Sequence, residues 1–198
     1  MVRIVNRTET ETTLPEGIAA VVFDDQAIRM ATDRLAARIA TDYRDRKVLV
    51  VGVLKGALFF TADLARALQR AGMAPDQITL DFIAVSSYGN ARRSSGEVRL
   101  LKDTSESLEG RHVLIVEDIV DNGHTLHYLR AVFGGRGPAS LAACALLDKP
   151  YHRCVEVPVE YVGMEAPDEF VVGYGLDYQE SYRHLPYLAR LHPWVYRD

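Results

Sequence analysis

At 198 residues, with 48% hydrophobic and 25% charged side chains, the chain fits one globular domain, and a chain of this size buries about 70% of its unfolded surface, so its core needs neither a disulfide nor a metal. A formal net charge of −4 argues against a general nucleic-acid-binding face, while leaving room for a single phosphate site built from backbone N–H groups and one or two cations. The two cysteines, Cys144 and Cys154, form no C-x-x-C pair, which argues against a zinc ribbon or dithiol redox motif and fits a reducing cytoplasm.

Residues 1–24 read as a polar, partly extended lead-in without the apolar run of a signal peptide, and no later stretch approaches the ~18 apolar residues of a membrane span. Asp24 and Asp25 then precede a helical pattern. Ile28, Ala31, Leu35, Ile39 and Tyr43 recur at spacings of three and four, so one face is apolar, and the acidic pair suits an N-cap. KVLVVGVL (47–54) is a continuous Val-rich run, the pattern of a strand buried on both faces of a parallel sheet. Lys55-Gly56-Ala57 ends it, LFFTADLARALQRAG follows with helical spacing, and Gly72 is a natural stop. ITLDFIAVSSY (78–88) is the next strand, GNARRSSGE (89–97) a polar loop, and VRLL (98–101) a short returning strand. HVLIVED (112–118) is another buried strand, a helix follows over roughly 124–133, and SLAACALLD (140–148) is one more strand. Strands and helices thus alternate over 47–148, which predicts an α/β fold with a mainly parallel sheet. Beyond Lys149, the prolines Pro150, Pro158, Pro167, Pro186 and Pro193 punctuate strand-like runs, VEYVGM and EFVVGYGL, which predict a few added strands or a small lobe.

The segment with most chemical content is VLIVEDIVDNGHTL (113–126). A buried strand delivers Glu117 and Asp118 to its C-terminal end, where ligands of open α/β sheets bind. The turn leads into a helix whose first N–H groups have no intrahelical partner. Gly123 permits a positive φ and close approach of the backbone to a ligand, and Thr125 adds a hydroxyl. Together these form a cradle for a phosphate. Asn-Gly between apolar runs is also a hairpin signal, yet Leu126, Leu129, Val132 and Phe133 follow at helical rather than alternating spacing. Adjacent carboxylates at a strand end are either solvated surface acids or paired with a cation or sugar hydroxyls.

This segment resembles the phosphoribosyl-pyrophosphate-binding motif of type I phosphoribosyltransferases: four hydrophobics, two acids, two hydrophobics, Asp, Ser or Thr, Gly, any residue, Thr. Val113 to Val116, Glu117, Asp118, Ile119, Val120, Asp121, Gly123 and Thr125 match it, and Asn122 departs, supplying an amide where a hydroxyl is usual. The likeness runs from about residue 18 to residue 192 and is greatest to the bacterial hypoxanthine phosphoribosyltransferases. Leu54-Lys55-Gly56 is similar to that family's pyrophosphate loop, which carries a non-proline cis peptide. Ser86-Ser87-Tyr88-Gly89 is similar to its mobile loop, Leu147-Asp148-Lys149-Pro150 to the segment whose lysine reads the base, and Glu169 to Tyr178 to the segment that stacks on the purine.

The resemblance implies a type I phosphoribosyltransferase fold in a single domain (1–198), with a mainly parallel core over about 25–150 and a hood lobe formed by the lead-in and about 150–198. It implies transfer of a phosphoribosyl group to hypoxanthine or guanine with Mg²⁺ as cofactor, in a homodimer or homotetramer, with no nucleic-acid or membrane partner and a cytoplasmic location. Glu117, Asp118 and Asp177 are then expected around the metal. Lys55, Gly56 and Arg183 are expected at pyrophosphate, and Glu117 and Asp118 at the ribose hydroxyls. Asp121, Asn122, Gly123, His124 and Thr125 are expected at the 5′-phosphate. Asp121 is the candidate general base near purine N7. Lys149 would donate to the 6-oxo group, an ammonium favouring a carbonyl over the 6-amino group of adenine. Phe170 would stack on the base, the main-chain carbonyls of Val171 and Asp177 would accept from a 2-amino group, and Ser87 and Tyr88 would close a lid.

Two readings from other classes carry less. An RNA-binding regulator on the same fold needs a basic face, which the net charge does not favour. A dinucleotide-dependent oxidoreductase needs G-x-G-x-x-G after the first strand, where the chain offers Val-Gly-Val-Leu-Lys-Gly. His124 and His127 share a helix face without a third ligand at suitable spacing, and His152, His184 and His192 read as surface residues.

Overall fold

The computed structural model describes residues 14–88 and 97–196, with the side chains of Ser87, Tyr88 and Glu97 outside that description. A short strand, β1 (Ile18–Phe23), precedes the first helix, α1 (Asp25–Asp42). Asp24 caps that helix: its Oδ1 accepts from the backbone N–H of Ala27 at 2.8 Å. The predicted apolar face, Ile28, Ala31, Leu35, Ile39 and Tyr43, is buried.

The next elements are β2 (Val48–Leu54), α2 (Leu58–Arg70), β3 (Ile78–Tyr88) and β4 (Glu97–Lys102). They are followed by β5 (His112–Val120), α3 (His124–Gly134), β6 (Ser140–Asp148) and β7 (Tyr161–Glu165). A six-stranded sheet has the order β4-β3-β2-β5-β6-β7, parallel throughout except for β4, which returns antiparallel against β3. The side chains of β2 alternate between two cores. Val48 and Val50 pack with Leu35, Phe60 and Leu64 from α1 and α2. Leu49, Val51 and Val53 pack with Leu126, Leu129 and Phe133 from α3. Helices on both faces explain why the central strands are unbroken apolar runs. Truncating Phe133, fully buried in the second core, removes a contribution of about 3–5 kcal/mol.

The chain moves outward from β2 to β3 on one side of the sheet and begins again at β5 on the other, so a topological switch lies between β2 and β5. A crevice forms at the carboxyl ends of strands at such a point, because the connections on either side diverge to opposite faces. The loop after β2 begins at Lys55, and β5 ends in the acidic segment.

The tail divides. β7 extends the large sheet, whereas β8 (Val171–Val172) and β9 (Leu188–Leu191) join β1 in a separate antiparallel sheet of order β1-β9-β8. A four-residue helix, α4 (Pro193–Tyr196), closes the described chain.

Candidate active site

Three backbone segments converge at the switch point so closely that only glycine fits at two places. A Cβ on Gly56, in the loop after β2, would collide with the carboxylate of Asp118 at the end of β5. Gly175, with φ of +107°, has no room for a Cβ because the carbonyl oxygen of Gly56 occupies that space. The loop after β2, the end of β5 and the 173–177 segment therefore meet at Gly56. The Leu54–Lys55 peptide bond that enters this contact is cis, as the resemblance implies.

Glu117 is 5% exposed, and its Oε1 is buried with no hydrogen-bond partner among the described residues. Burial, and then the neighbouring Asp118 charge, push the Glu117 carboxyl well above the ordinary range. Burial raises Asp118 to about 6, against hydrogen bonds from backbone N–H groups and the charge of Arg183. Two adjacent acids that resist ionisation in a cleft form a site lacking positive charge.

Part of that charge is present. Arg183 lies 2.8 Å from Asp177 Oδ1 and 3.2 Å from Glu180 Oε1, and its NH1 donates to the Gly175 carbonyl at 2.7 Å. Its Nε is buried and has no hydrogen-bond partner among the described residues. Lys55, largely exposed, pairs with Glu180 Oε2 at 2.8 Å.

The turn after β5 has the form expected of a phosphate cradle. Gly123 adopts φ of +88° immediately before α3 and lies so close to the Val155 carbonyl that a Cβ would intrude on it. The departure at Asn122 has a local effect: its Oδ1 accepts from the backbone N–H of His124 at 3.0 Å, while its carbonyl accepts from Cys154 and Val155. The amide oxygen thereby occupies one of the free N–H donors at the start of α3. His124 and Thr125 open α3 on the same turn.

Beside the cradle is a cavity of about 230 Å³. Asp118, Ile119 and Asp121 line it from the β5 side; Lys149, Phe170, Val171, Leu176 and Asp177 line it from the other. Lys149 is 8% exposed and donates from Nζ to the Glu169 carbonyl at 2.7 Å. Phe170 is 36% exposed, with Tyr178 and Tyr196 ring centroids 5.5 and 5.2 Å away. A larger cavity, about 580 Å³, lies between α1, α2 and residues 184–186. It takes Tyr174 from the 173–177 segment but no residue from Lys55–Gly56 or from the end of β5, whereas the smaller cavity is lined by Asp118 and Asp121.

The structure thus brings together Lys55, Gly56, Glu117, Asp118, Asp121–Thr125, Lys149, Phe170, Val171, Asp177 and Arg183 around one crevice. The side chains of Ser87 and Tyr88 and the loop beyond them lie outside the described residues, although the Ser87 and Tyr88 backbone pairs with β4. The sequence pattern does not signal Glu180, which touches both Lys55 and Arg183, or His152, which lies 3.0 Å from Asp121. Both sit in irregular turns where no periodicity constrains a side chain's direction.

A family model described as the phosphoribosyl transferase domain matches residues 20–179. The hypoxanthine-guanine phosphoribosyltransferase of Bacillus subtilis is 46% identical over 181 residues, 91% of this chain and 97% of the relative. The hypoxanthine phosphoribosyltransferase of Salmonella typhimurium is 45% identical over 173 residues, 86% of this chain and 94% of the relative. A solved Trypanosoma cruzi hypoxanthine phosphoribosyltransferase, in complex with the product IMP, superposes with a TM-score of 0.85 at 43% identity, covering 93% of this chain and all of that one. With the acidic strand end, the glycine turn and the lysine-lined cavity in place, the chain belongs to the phosphoribosyl transferase domain family, in its hypoxanthine phosphoribosyltransferase branch.

Proposed function

We infer that the chain is a purine-salvage transferase: it moves the 5-phosphoribosyl group from phosphoribosyl pyrophosphate to N9 of hypoxanthine or guanine, releasing IMP or GMP and pyrophosphate. The observation that carries this reading is the convergence of Gly56, Asp118 and Gly175 beside a cavity walled by Lys149 and Phe170. It supplies a phosphate cradle, an anion loop and a 6-oxopurine slot in one crevice.

The donor set suits Mg²⁺. The orphaned buried Glu117 oxygen and Asp118 are hard oxygen ligands short of positive charge, while Asp177 is paired with Arg183. Among the described residues no three such side chains gather as a metal cage, so an oxygen-preferring divalent ion would be held by one or two of these carboxylates together with substrate oxygens and water. When bound, the ion neutralises the developing pyrophosphate charge. Glu117 and Asp118 also bind the ribose hydroxyls, directly or through ordered water.

The 5′-phosphate lies on the backbone of Asp121–Thr125 at the start of α3. Lys55, Gly56 and Arg183 hold the pyrophosphate, with Arg183 releasing Asp177 or Glu180 as it engages. Lys149, already donating to a carbonyl, extends a donor to the 6-oxo group. Phe170 packs on the base, and the Val171 and Asp177 carbonyls receive the 2-amino group of guanine. As N9 forms its bond to the ribose C1 and the bond to pyrophosphate breaks, Asp121 takes the proton leaving N7. Ser87 and Tyr88 carry the lid that excludes water. The hood of this single domain is formed by the lead-in and about 150–198, the stretches that supply the β1-β9-β8 sheet. The protein acts in the cytoplasm as a homodimer or homotetramer.

The test is nucleotide formation from phosphoribosyl pyrophosphate and Mg²⁺ with hypoxanthine, guanine, xanthine or adenine supplied separately. Turnover with hypoxanthine or guanine, abolished by EDTA and reduced on the order of 100-fold or more in Asp121→Asn, supports the reading. Preference for adenine overturns the role of Lys149, and no turnover with any base from folded protein overturns the reading as a whole.

A further inference from the structure

Asp121 ends the acidic strand on a half-exposed turn, and its Oδ1 lies 3.0 Å from Nδ1 of His152. The other ring nitrogen, Nε2, lies 2.5 Å from Oδ1 of Asp168. His152 sits in a single 3₁₀ turn, Pro150–His152, directly after Lys149. Asp168 lies two residues before Phe170. One imidazole therefore spans from the turn after β5 to the segment that carries the ring expected on the purine.

The surrounding groups hold that corner together. Arg153 NH1 donates to the Asp121 carbonyl at 2.6 Å, and the same guanidinium pairs with Asp148. The Cys154 thiol faces the His152 carbonyl at 3.6 Å, and Lys149 is turned to the Glu169 carbonyl. These contacts fix the backbone on either side, but the Asp121 carboxylate itself is held by the imidazole. A carboxylate on an exposed turn keeps its rotamer freedom unless such a bond removes it. A proton acceptor misplaced by about 1 Å loses much of its effect.

We propose that His152 is a positioning residue for phosphoribosyl transfer: with both ring nitrogens protonated, it donates to Oδ1 of Asp121 and to Oδ1 of Asp168 and so ties the Asp121 carboxylate to the Phe170 segment. The proton-accepting group and the stacking ring then keep one spacing whether or not a base is bound. The role rests on the reading of Asp121 as the group that takes the N7 proton. Among the described residues, the hydrogen bond that joins the His152 ring to the turn that cradles the 5′-phosphate runs to the Asp121 side chain and not to the backbone groups of 121–125, so its loss affects chemistry and base placement rather than binding of phosphoribosyl pyrophosphate.

The experiment compares single-turnover nucleotide formation and phosphoribosyl pyrophosphate binding in wild type, His152→Ala, His152→Asn and His152→Gln. The asparagine amide nitrogen falls near the position of Nδ1 and the glutamine nitrogen near that of Nε2, so only the first restores the bond to Asp121. Expected are a single-turnover rate about tenfold lower in His152→Ala and His152→Gln, recovery to within about threefold in His152→Asn, and an unchanged Kd for phosphoribosyl pyrophosphate. His152 is 43% exposed at its side chain, so the variants should fold, and thermal melts check that they do. A rate within twofold of wild type in His152→Ala overturns the proposal, as does equal damage in all three variants or a loss that follows the melting temperature. Wild type and Asp121→Asn form the control arm. If wild type turns over no base, or Asp121→Asn is as fast as wild type, the reading of Asp121 falls and the positioning role with it. Turnover that is sensitive to Asp121 and indifferent to His152 sinks the positioning role alone.

Discussion

The Nζ of Lys55 lies 2.8 Å from Oε2 of Glu180, and the other oxygen of the same carboxylate lies 3.2 Å from Arg183. One carboxylate thus touches both cations assigned to pyrophosphate. The Lys55 ammonium, and then Arg183, hold the Glu180 carboxyl below its usual range. Pyrophosphate held by Lys55 and Arg183, as proposed, would compete with Glu180 for the same charges. In Glu180→Gln, pyrophosphate binding measured by calorimetry should tighten about two- to fivefold at low salt, the range of exposed ion pairs, and the gain should shrink as salt is added. Weaker or unchanged binding would mean that Glu180 organises the two cations instead of occupying them.

Asp118 makes the ligand-free protein pH-sensitive in a defined direction. Its folded-state carboxyl titrates at about 6, above the ordinary 3.8, so between those values the folded chain holds a proton that the unfolded chain has released. Its contribution to stability is therefore present at low pH and is lost as pH rises through that window. Other carboxylates, such as Asp103 beside Arg136, oppose the trend in the whole-protein curve. The clean measurement is therefore a difference. In EDTA, Asp118→Asn should match wild type near pH 4 and exceed it by on the order of 1–2 kcal/mol above pH 6.5 in urea unfolding. A difference that is flat with pH would remove burial as the cause.

The role proposed for Lys149 in base choice is open to direct test. Its Nζ is buried at the cavity wall and already satisfies the Glu169 carbonyl. Lys149→Ala should raise the KM for hypoxanthine about 10- to 100-fold, the scale of a lost charged hydrogen bond, with KM for phosphoribosyl pyrophosphate little changed. The preference for hypoxanthine over adenine should collapse in parallel. If the preference survives the substitution, discrimination resides in the backbone of 171–177.

Gly175 and Gly72 form a matched pair for the glycine contact. Both have positive φ, +107° and +99°, but only Gly175 meets a neighbour, the Gly56 carbonyl, whereas nothing lies within 4 Å of a Cβ on Gly72. Gly72→Ala should lose about 1 kcal/mol for its backbone conformation alone. Gly175→Ala should lose about 3 kcal/mol or more and displace the Lys55–Gly56 loop, weakening pyrophosphate binding in whatever fraction folds. Equal losses in urea midpoints would show that the close approach at Gly56 relaxes freely.

Local pattern carried much of this fold. The run VLVVGVL has nowhere to go but the middle of a sheet covered on both faces, and β2 is there. The three- and four-residue recurrence from Ile28 to Tyr43 required a helix with one buried face, and Asp24 marked its start. Pattern failed for β1 and β9. The first, IAAVVF, has no polar residue to alternate with its apolar ones, and the second is four residues long, so they became strands only by long-range pairing, β1 with β9 and β9 also with β8. The runs at 159–164 and 169–176 likewise read as strands, without any sign that β7 would join the large sheet or that only Val171–Val172 of the second run would pair, in the small one. Sheet membership is a long-range pairing that no local propensity encodes.

The site divides along the same line. The sequence by itself determined the chemistry-bearing string from Glu117 to Thr125, because adjacent acids, a glycine turn and a helix start are consecutive residues whose geometry is local. It also marked Lys149 and Phe170 through a family likeness. Tertiary structure alone decided that Gly56 would pack on Asp118 and under Gly175, that Glu180 would bridge Lys55 and Arg183, and that His152 would reach both Asp121 and Asp168. Each of these contacts joins segments separated by many residues or set in aperiodic turns. Their directions are fixed only when the sheet order brings the strand ends together, since side-chain periodicity specifies a face and not a partner.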